Sequence, residues 1–238
     1  MVPVVAHGYL VGGTVNGRWV DAKTIAPRLR GGERYRVAGG GRVLATATGN
    51  KPSVTEDVCP DTWRVRLRPS PAGGTVAVGG GWNLVPRPVR PLDPRSAVYR
   101  AAVREQVARG GIRDPQVNVT GAWRVDLEGD GVDEVVVSAV RGDLSRGIHV
   151  DAGDYSLVMV RKVVGGTVRT VLLESEFHPR ASDERILNRY DVAGILDADG
   201  DGTMEIVVHG RYYEGDWATV HRLRGATGQK LATAGCGV

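Results

Sequence analysis

The apolar positions of this chain fall in short β-favouring runs, and helix signals are rare. Paired glycines, not helical segments, separate the runs. Asn16-Gly17, Gly31-Gly32, Gly39–Gly41, Gly73-Gly74 and Gly79–Gly81 separate short β-favouring runs. The pattern predicts strands over Val4–Val15, Arg34–Ala38, Arg42–Thr48, Trp63–Arg68, Thr75–Val78 and Trp82–Val85, an antiparallel region at the front of the chain. The segment from Pro86 to Pro94 carries four prolines and reads as a linker, because proline cannot donate to a ladder. It leads into the one helix the sequence predicts, over 94–109. Asp93 is its expected N-cap, Pro94 its first residue, and Gly110-Gly111 its stop. The apolar side of that helix (Tyr99, Ala102, Val103) is modest, which suits a surface position.

Beyond the helix the pattern repeats. Asp126-Leu-Glu128-Gly-Asp130-Gly-Val-Asp-Glu134 and Asp197-Ala-Asp199-Gly-Asp201-Gly-Thr-Met-Glu205 align without a gap. Strand-like runs precede them (Gln116–Val125 and Tyr190–Leu196), and valine-rich strands follow directly. A hairpin then closes each unit, over Tyr155–Val164 with Thr167–Phe177, and over Trp217–Leu223 with Gln229–Thr233. Four strands per unit is the content of one propeller blade. The expected fold class is mainly β: an N-terminal antiparallel β domain, one linking helix, and two blade-like four-stranded units with Asp-rich loops. The expected divisions are a basic β-rich domain over 1–88, a linker and helix over 89–111, and the two-unit domain over 112–238.

Both loops read D-x-[DE]-x-D-G-x-x-E. A hard cation such as Ca2+ takes six to eight oxygens, and acidic residues at positions 1, 3 and 5 of a tight loop aim three carboxylates inward. The candidate ligands of the first loop are Asp126, Glu128, Asp130, the Val132 carbonyl and Glu134. Those of the second are Asp197, Asp199, Asp201, the Thr203 carbonyl and Glu205. Gly131 and Gly202, at position 6, permit the sharp turn. An EF-hand needs a glutamate at position 12 and a following helix. Val137 and Val208 stand there instead, and strands follow. The pattern therefore predicts two strand–loop–strand sites, each for one Ca2+, with the three-aspartate second loop the tighter.

On these loops, residues 112–238 resemble the FG-GAP/VCBS repeat family, the calcium-loop blades of integrin-α-type β-propellers. Leu223-Arg-Gly-Ala-Thr-Gly-Gln-Lys-Leu231 is similar to the turn between the last two strands of such blades. The Phe-Gly and Gly-Ala-Pro elements of the family are not evident, and two blades do not close a propeller of four or more. The resemblance implies calcium as a structural ion, a place outside the cytoplasm, and no catalytic activity. The leading functional expectation is thus a calcium-stabilised binding or scaffold protein with a protein or carbohydrate partner.

Composition and charge adjust this picture only in part. At 42% hydrophobic and 24% charged, the chain is neither low-complexity nor collagen-like. No apolar run approaches a membrane span, and Val2–Ala6 is too short for the core of an export signal. Residues 1–90 carry 13 Lys and Arg against 5 Asp and Glu, while residues 91–238 carry 18 against 22. The basic front invites an anionic-polymer reading through Arg64, Arg66 and Arg68, but these alternate with Trp63, Val65 and Leu67 as a strand's outer face does. No known nucleic-acid-binding motif accompanies them. Cys59 and Cys236 have no metal-ligand spacing; they bridge only in an oxidising compartment. G-x-S-x-G, H-E-x-x-H and Walker A motifs are absent. The remaining catalytic candidates are His149 and Asp151, in the long insert Arg141–Asp154, which would serve a hydrolase-type site beside the calcium loops. Tyr212-Tyr213-Glu214-Gly-Asp216-Trp217, the shorter counterpart in the second unit, suits stacking on sugar or peptide as well as strand-end packing.

Overall fold

Strands covered on both faces read as unbroken apolar runs, and in this protein they set the order of the layers. The computed structural model describes residues 1–55 and 58–237; Val238, the end of the expected two-unit domain, lies outside the described residues. The front of the chain supplies β1 (Val2–Ala6), β2 (Tyr9–Val15), β3 (Arg18–Asp21), β4 (Arg34–Gly39), β5 (Arg42–Gly49), β6 (Ser53–Thr55), β7 (Cys59–Arg64), β8 (Leu67–Arg68) and β9 (Val76–Val78). They form one curled sheet in the order β6-β7-β2-β1-β9-β4-β5-β8, with β3 paired to β2. A second sheet runs β10 (Arg90–Pro91), β11 (Val119–Val125), β12 (Glu134–Arg141), β13 (Asp154–Val164) and β14 (Thr167–His178). The third is the meander β15 (Arg189–Leu196), β16 (Glu205–Tyr212), β17 (Gly215–Arg224) and β18 (Thr227–Cys236). All of the pairings are antiparallel. Helices α1 (Ala22–Ile25) and α2 (Ala97–Arg109) complete the set.

Alternation along the central strands assigns each face. On β13, Leu157 and Met159 pack against Ala102, Val103 and Val107 of α2, whereas Val158 and Val160 pack against Ile206 and Val208 of β16. On β16 itself, Val207 faces the other way, toward Val4, Ala6, Val76 and Val78 of the curled sheet. The far face of that sheet, with Val5, Leu10, Tyr35 and Val37, is closed by Ile25 of α1. The sheets therefore stack face to face in the order second, third, curled, with a helix over each outer face. Each fully buried valine, leucine or isoleucine adds about 1.5–3 kcal/mol to such an interface. The apolar core between the curled sheet and the third sheet crosses residue 88, so the front region and the second unit share it.

The mainly β architecture and both hairpins match the expected pattern; several local features differ. The run expected over Val4–Val15 is a hairpin, broken by His7 and Gly8 at φ 53° and 80°, with Ala6 opposite Tyr9. The run over Trp63–Arg68 divides, because Val65 turns into the core and donates to the Gly8 carbonyl while the Arg66 carbonyl accepts from Asn50. Trp82–Val85 forms no strand; the Asn83 side chain takes the Val85 N–H instead. The helix starts at Ala97, not at Pro94. The Asp93 carboxylate takes the Arg95 N–H, so Asp93 and Pro94 close a turn before the helix begins, and Gly110 ends it as expected. Cys59 on β7 and Cys236 on β18 form a disulfide.

Candidate functional site

The two acidic loops share four backbone-to-carboxylate hydrogen bonds. The position-1 carboxylate accepts backbone N–H groups from positions 4 and 6: Gly129 and Gly131 bond Asp126 at 2.6 and 3.0 Å, and Gly200 and Gly202 bond Asp197 at 2.6 and 3.0 Å. The position-9 glutamate takes the N–H of position 2, Leu127 to Glu134 at 2.9 Å and Ala198 to Glu205 at 2.8 Å. The position-5 aspartate takes that of position 7, Val132 to Asp130 at 2.9 Å and Thr203 to Asp201 at 2.8 Å. Glycine is required at positions 4 and 6 because Gly129, Gly131, Gly200 and Gly202 all lie at φ between 77° and 89°. These side-chain bonds hold the loop backbone in shape from within.

A protein cation faces each loop. Register fixes its position: Val135 is opposite Arg161 and Ile206 opposite His221, so the next residues, Lys162 and Arg222, meet Glu134 and Glu205. Lys162 bonds Glu128 and lies 3.9 Å from Glu134. Arg222 reaches three carboxylates: Asp199 at 2.7 Å, Asp201 at 3.0 Å and Glu205 at 2.5 Å. Arg87, from the proline-rich segment, donates to the carbonyls of Asp126, Leu127 and Gly202 and ties the loops together. Two tryptophans of the front region join the second loop. Trp19 donates to Asp199 at 2.8 Å and Trp82 to the Asp197 carbonyl at 2.9 Å. The loops are thus the junction of all three sheets.

The acidic pattern called for calcium, and the two loops differ in how well they suit it. In the second loop, oxygens of Asp197, Asp199 and Glu205 lie within 4.8 Å of one another. Among the described residues the first loop makes no such group: Glu128 turns to Lys162 instead. Burial pushes the Glu134, Asp197 and Glu205 carboxyls above the ordinary range. Lys162 pulls Glu134 back only in part, as Arg222 does Glu205. Carboxyls held high in this way gain from any further positive charge.

His149 is clamped between carboxylates, with Nδ1 2.6 Å from Asp183 and Nε2 3.1 Å from Asp151. Those hydrogen bonds hold the imidazole above its usual value, which favours the imidazolium and weakens it as a general base. The neighbouring cavity of about 940 Å3 is lined by Ala152, Gly153, Ser182 and Arg185, but not by His149 or Asp151. Of the arginine stripe, Arg64 turns inward: it lies over the Tyr9 ring at 4.3 Å and donates to the Tyr9 hydroxyl at 3.0 Å. Arg66 and Arg68 are exposed, and Arg66 lies outside the strands.

One further cluster has no motif in the sequence. His7 stacks on His209 with ring centroids 3.5 Å apart. His209 Nε2 lies 2.9 Å from Asp216, and the Tyr9 hydroxyl donates to the same carboxylate at 2.6 Å. His7 was hidden inside an expected strand, and its only sequence signal was the His7-Gly8 pair, a turn dipeptide. Asp216 lies in the Tyr212–Trp217 segment, whose sequence suits stacking or strand-end packing and does not point to this cluster. Comparison of the chain with protein-family models, with curated proteins and with solved structures finds no match. No helix among the described residues is long and apolar enough to cross a membrane.

Proposed function

We propose that this protein is a non-catalytic binding or scaffold module of an FG-GAP/VCBS-like kind, working outside the cytoplasm and taking one Ca2+ at its Asp197 loop. The observation that carries this reading is the charge imbalance there: Asp199, Asp201 and Glu205 pair with the single guanidinium of Arg222, and Asp197 stands beside Asp199 and Glu205. Asp197, Asp199, Asp201 and Glu205, with the Thr203 carbonyl, would hold the ion, and its chemistry would be structural, locking three sheets at one junction. The Asp126 loop, with Lys162 between Glu128 and Glu134, is served by its own cation, so the proposal keeps to one ion. The Cys59–Cys236 disulfide supports an oxidising compartment. A protein or carbohydrate is the expected partner class, supported by Tyr213, exposed beside Tyr212 at the β16–β17 turn.

Thermal melting in chelator and in millimolar calcium tests the ion. An ion held at 100 times its dissociation constant adds about 2.7 kcal/mol. The melting temperature should rise with calcium, and the rise should vanish in Asp199→Ala while persisting in Glu128→Ala. Identical curves with and without calcium would overturn the ion assignment. Free thiols at Cys59 and Cys236 in protein from its native host would overturn the location.

A further inference from the structure

We propose that His7, His209 and Asp216 form a second metal site, for a transition-metal dication of the zinc class, where the β1–β2 turn meets the β16–β17 hairpin. One ligating atom from each residue lies within 4.8 Å of the others, and because the two imidazoles stack face to face at 3.5 Å, one ring turns about its χ2 to aim both nitrogens at a single ion. Two imidazoles and one carboxylate are the donor set that zinc and its neighbours take, whereas calcium requires oxygens. This site is therefore chemically separate from the acidic loops.

Three further observations support the assignment. The Nε2 atom of His7 is buried and has no hydrogen-bond partner. A buried imidazole nitrogen left unpaired carries a desolvation cost, which a bound cation removes. The carboxylate is also oriented from behind: Tyr9 donates to Asp216 Oδ1 at 2.6 Å, and Arg64 donates to the Tyr9 hydroxyl at 3.0 Å. Zinc ligands are held in this way by hydrogen bonds from outside the ligand set. Finally, the β1–β2 turn that carries His7 opens on solvent, where His7 and Gly8 line a cavity of about 870 Å3 with Val54, Arg64 and Thr75. Three protein ligands leave a fourth position open, the arrangement of a zinc that binds a water or an exogenous anion. Both cysteines are in the disulfide, so thiolates do not compete for the metal.

The test uses tag-free, disulfide-intact full chain stripped by chelator, titrated with Zn2+ against a chromophoric competitor and with Co2+ for its visible d–d absorption. One zinc per chain is expected, with micromolar or tighter affinity, unchanged by excess calcium. His7→Asn keeps a residue that tolerates positive φ, and it should weaken zinc by at least ~tenfold, as should Asp216→Asn. Tyr9→Phe, which frees the carboxylate, should cost about tenfold. Asp199→Ala and His149→Ala should bind zinc like the parent. Folded His7→Asn and Asp216→Asn that bind zinc normally would overturn the site. So would the absence of stoichiometric zinc in the parent, or loss of zinc in His149→Ala.

Discussion

The Asp126 and Asp197 loops share four backbone hydrogen bonds and differ in the cation set against them. Lys162 offers a point charge on a flexible stem and meets two glutamates, one of which, Glu128, keeps a quarter of its side chain exposed. Arg222 offers a planar fork and joins Asp199 and Glu205, at 6% and 0% exposure, to the more open Asp201. A guanidinium with five directed donors spans several carboxylates, where an ammonium does not. Position in the stack explains the choice. The second loop belongs to the middle sheet, with Trp19 and Trp82 against it, and its Asp197 and Glu205 are buried there. The first belongs to an outer sheet. The more deeply a cluster of carboxylates is buried, the more it depends on a cation placed beside it.

That dependence gives the largest expected effect. Arg222→Met should leave Asp199 and Glu205 buried and unpaired, at a cost of about 3–5 kcal/mol. Urea unfolding reads this directly. Lys162→Met should cost less, on the order of 1–3 kcal/mol, because Glu128 can turn to solvent. A larger loss for Lys162→Met would reverse the comparison.

Calcium sharpens the same contrast. If ion and guanidinium compete for one set of oxygens, Arg222→Met should bind calcium more tightly than the parent and recover part of its lost stability in calcium. A tenfold gain in affinity corresponds to about 1.4 kcal/mol. Lys162→Met should recover less, since its loop does not gather three ligand oxygens. Calorimetric titration of both variants decides the point, and equal calcium affinities would show that Arg222 does not occupy the ion's place.

Much of this was legible in the sequence, and what was not has physical reasons. The repeated Asp-Gly pattern placed both loops and the valine-rich runs after them marked strands, but only the fold shows that Leu157–Val160 and Ile206–Val208 are covered on both faces. Lys162 and Arg222 escaped notice because their role depends on register across a sheet, with Glu134 and Glu205 as partners, and no spacing along the chain encodes that. The stack order was equally hidden: nothing local says that β16 turns Val207 toward Val4 and Ile206 toward Val158. The helix start slipped by three residues because Asp93 satisfied the Arg95 N–H before any helix began. His7 was read as strand because its positive φ belongs to a turn that glycine alone does not announce.

The smallest expected effect joins the two sheets to each other. Glu174 on β14 lies 3.0 Å from His221 of β17 and 3.1 Å from Lys230 of β18. Burial pushes the Glu174 carboxyl up, but the hydrogen bonds from His221 and Lys230 outweigh it and leave the group below the ordinary carboxylate range. The unfolded chain therefore takes up a proton at higher pH than the folded one. The contribution is whole above pH ~4.5, where the unfolded carboxylate is ionised, and is lost as pH falls through the lower folded value. Glu174→Gln should cost on the order of 1 kcal/mol at neutral pH, the scale of a charged contact partly open to solvent. Unlike the Arg222 variant, it should converge with the parent as the medium is acidified below pH ~4. Melting curves of parent and variant across that range measure the convergence. A gap that stays constant with pH would show that the contact acts by packing, and that charge couples the sheets only at the loops.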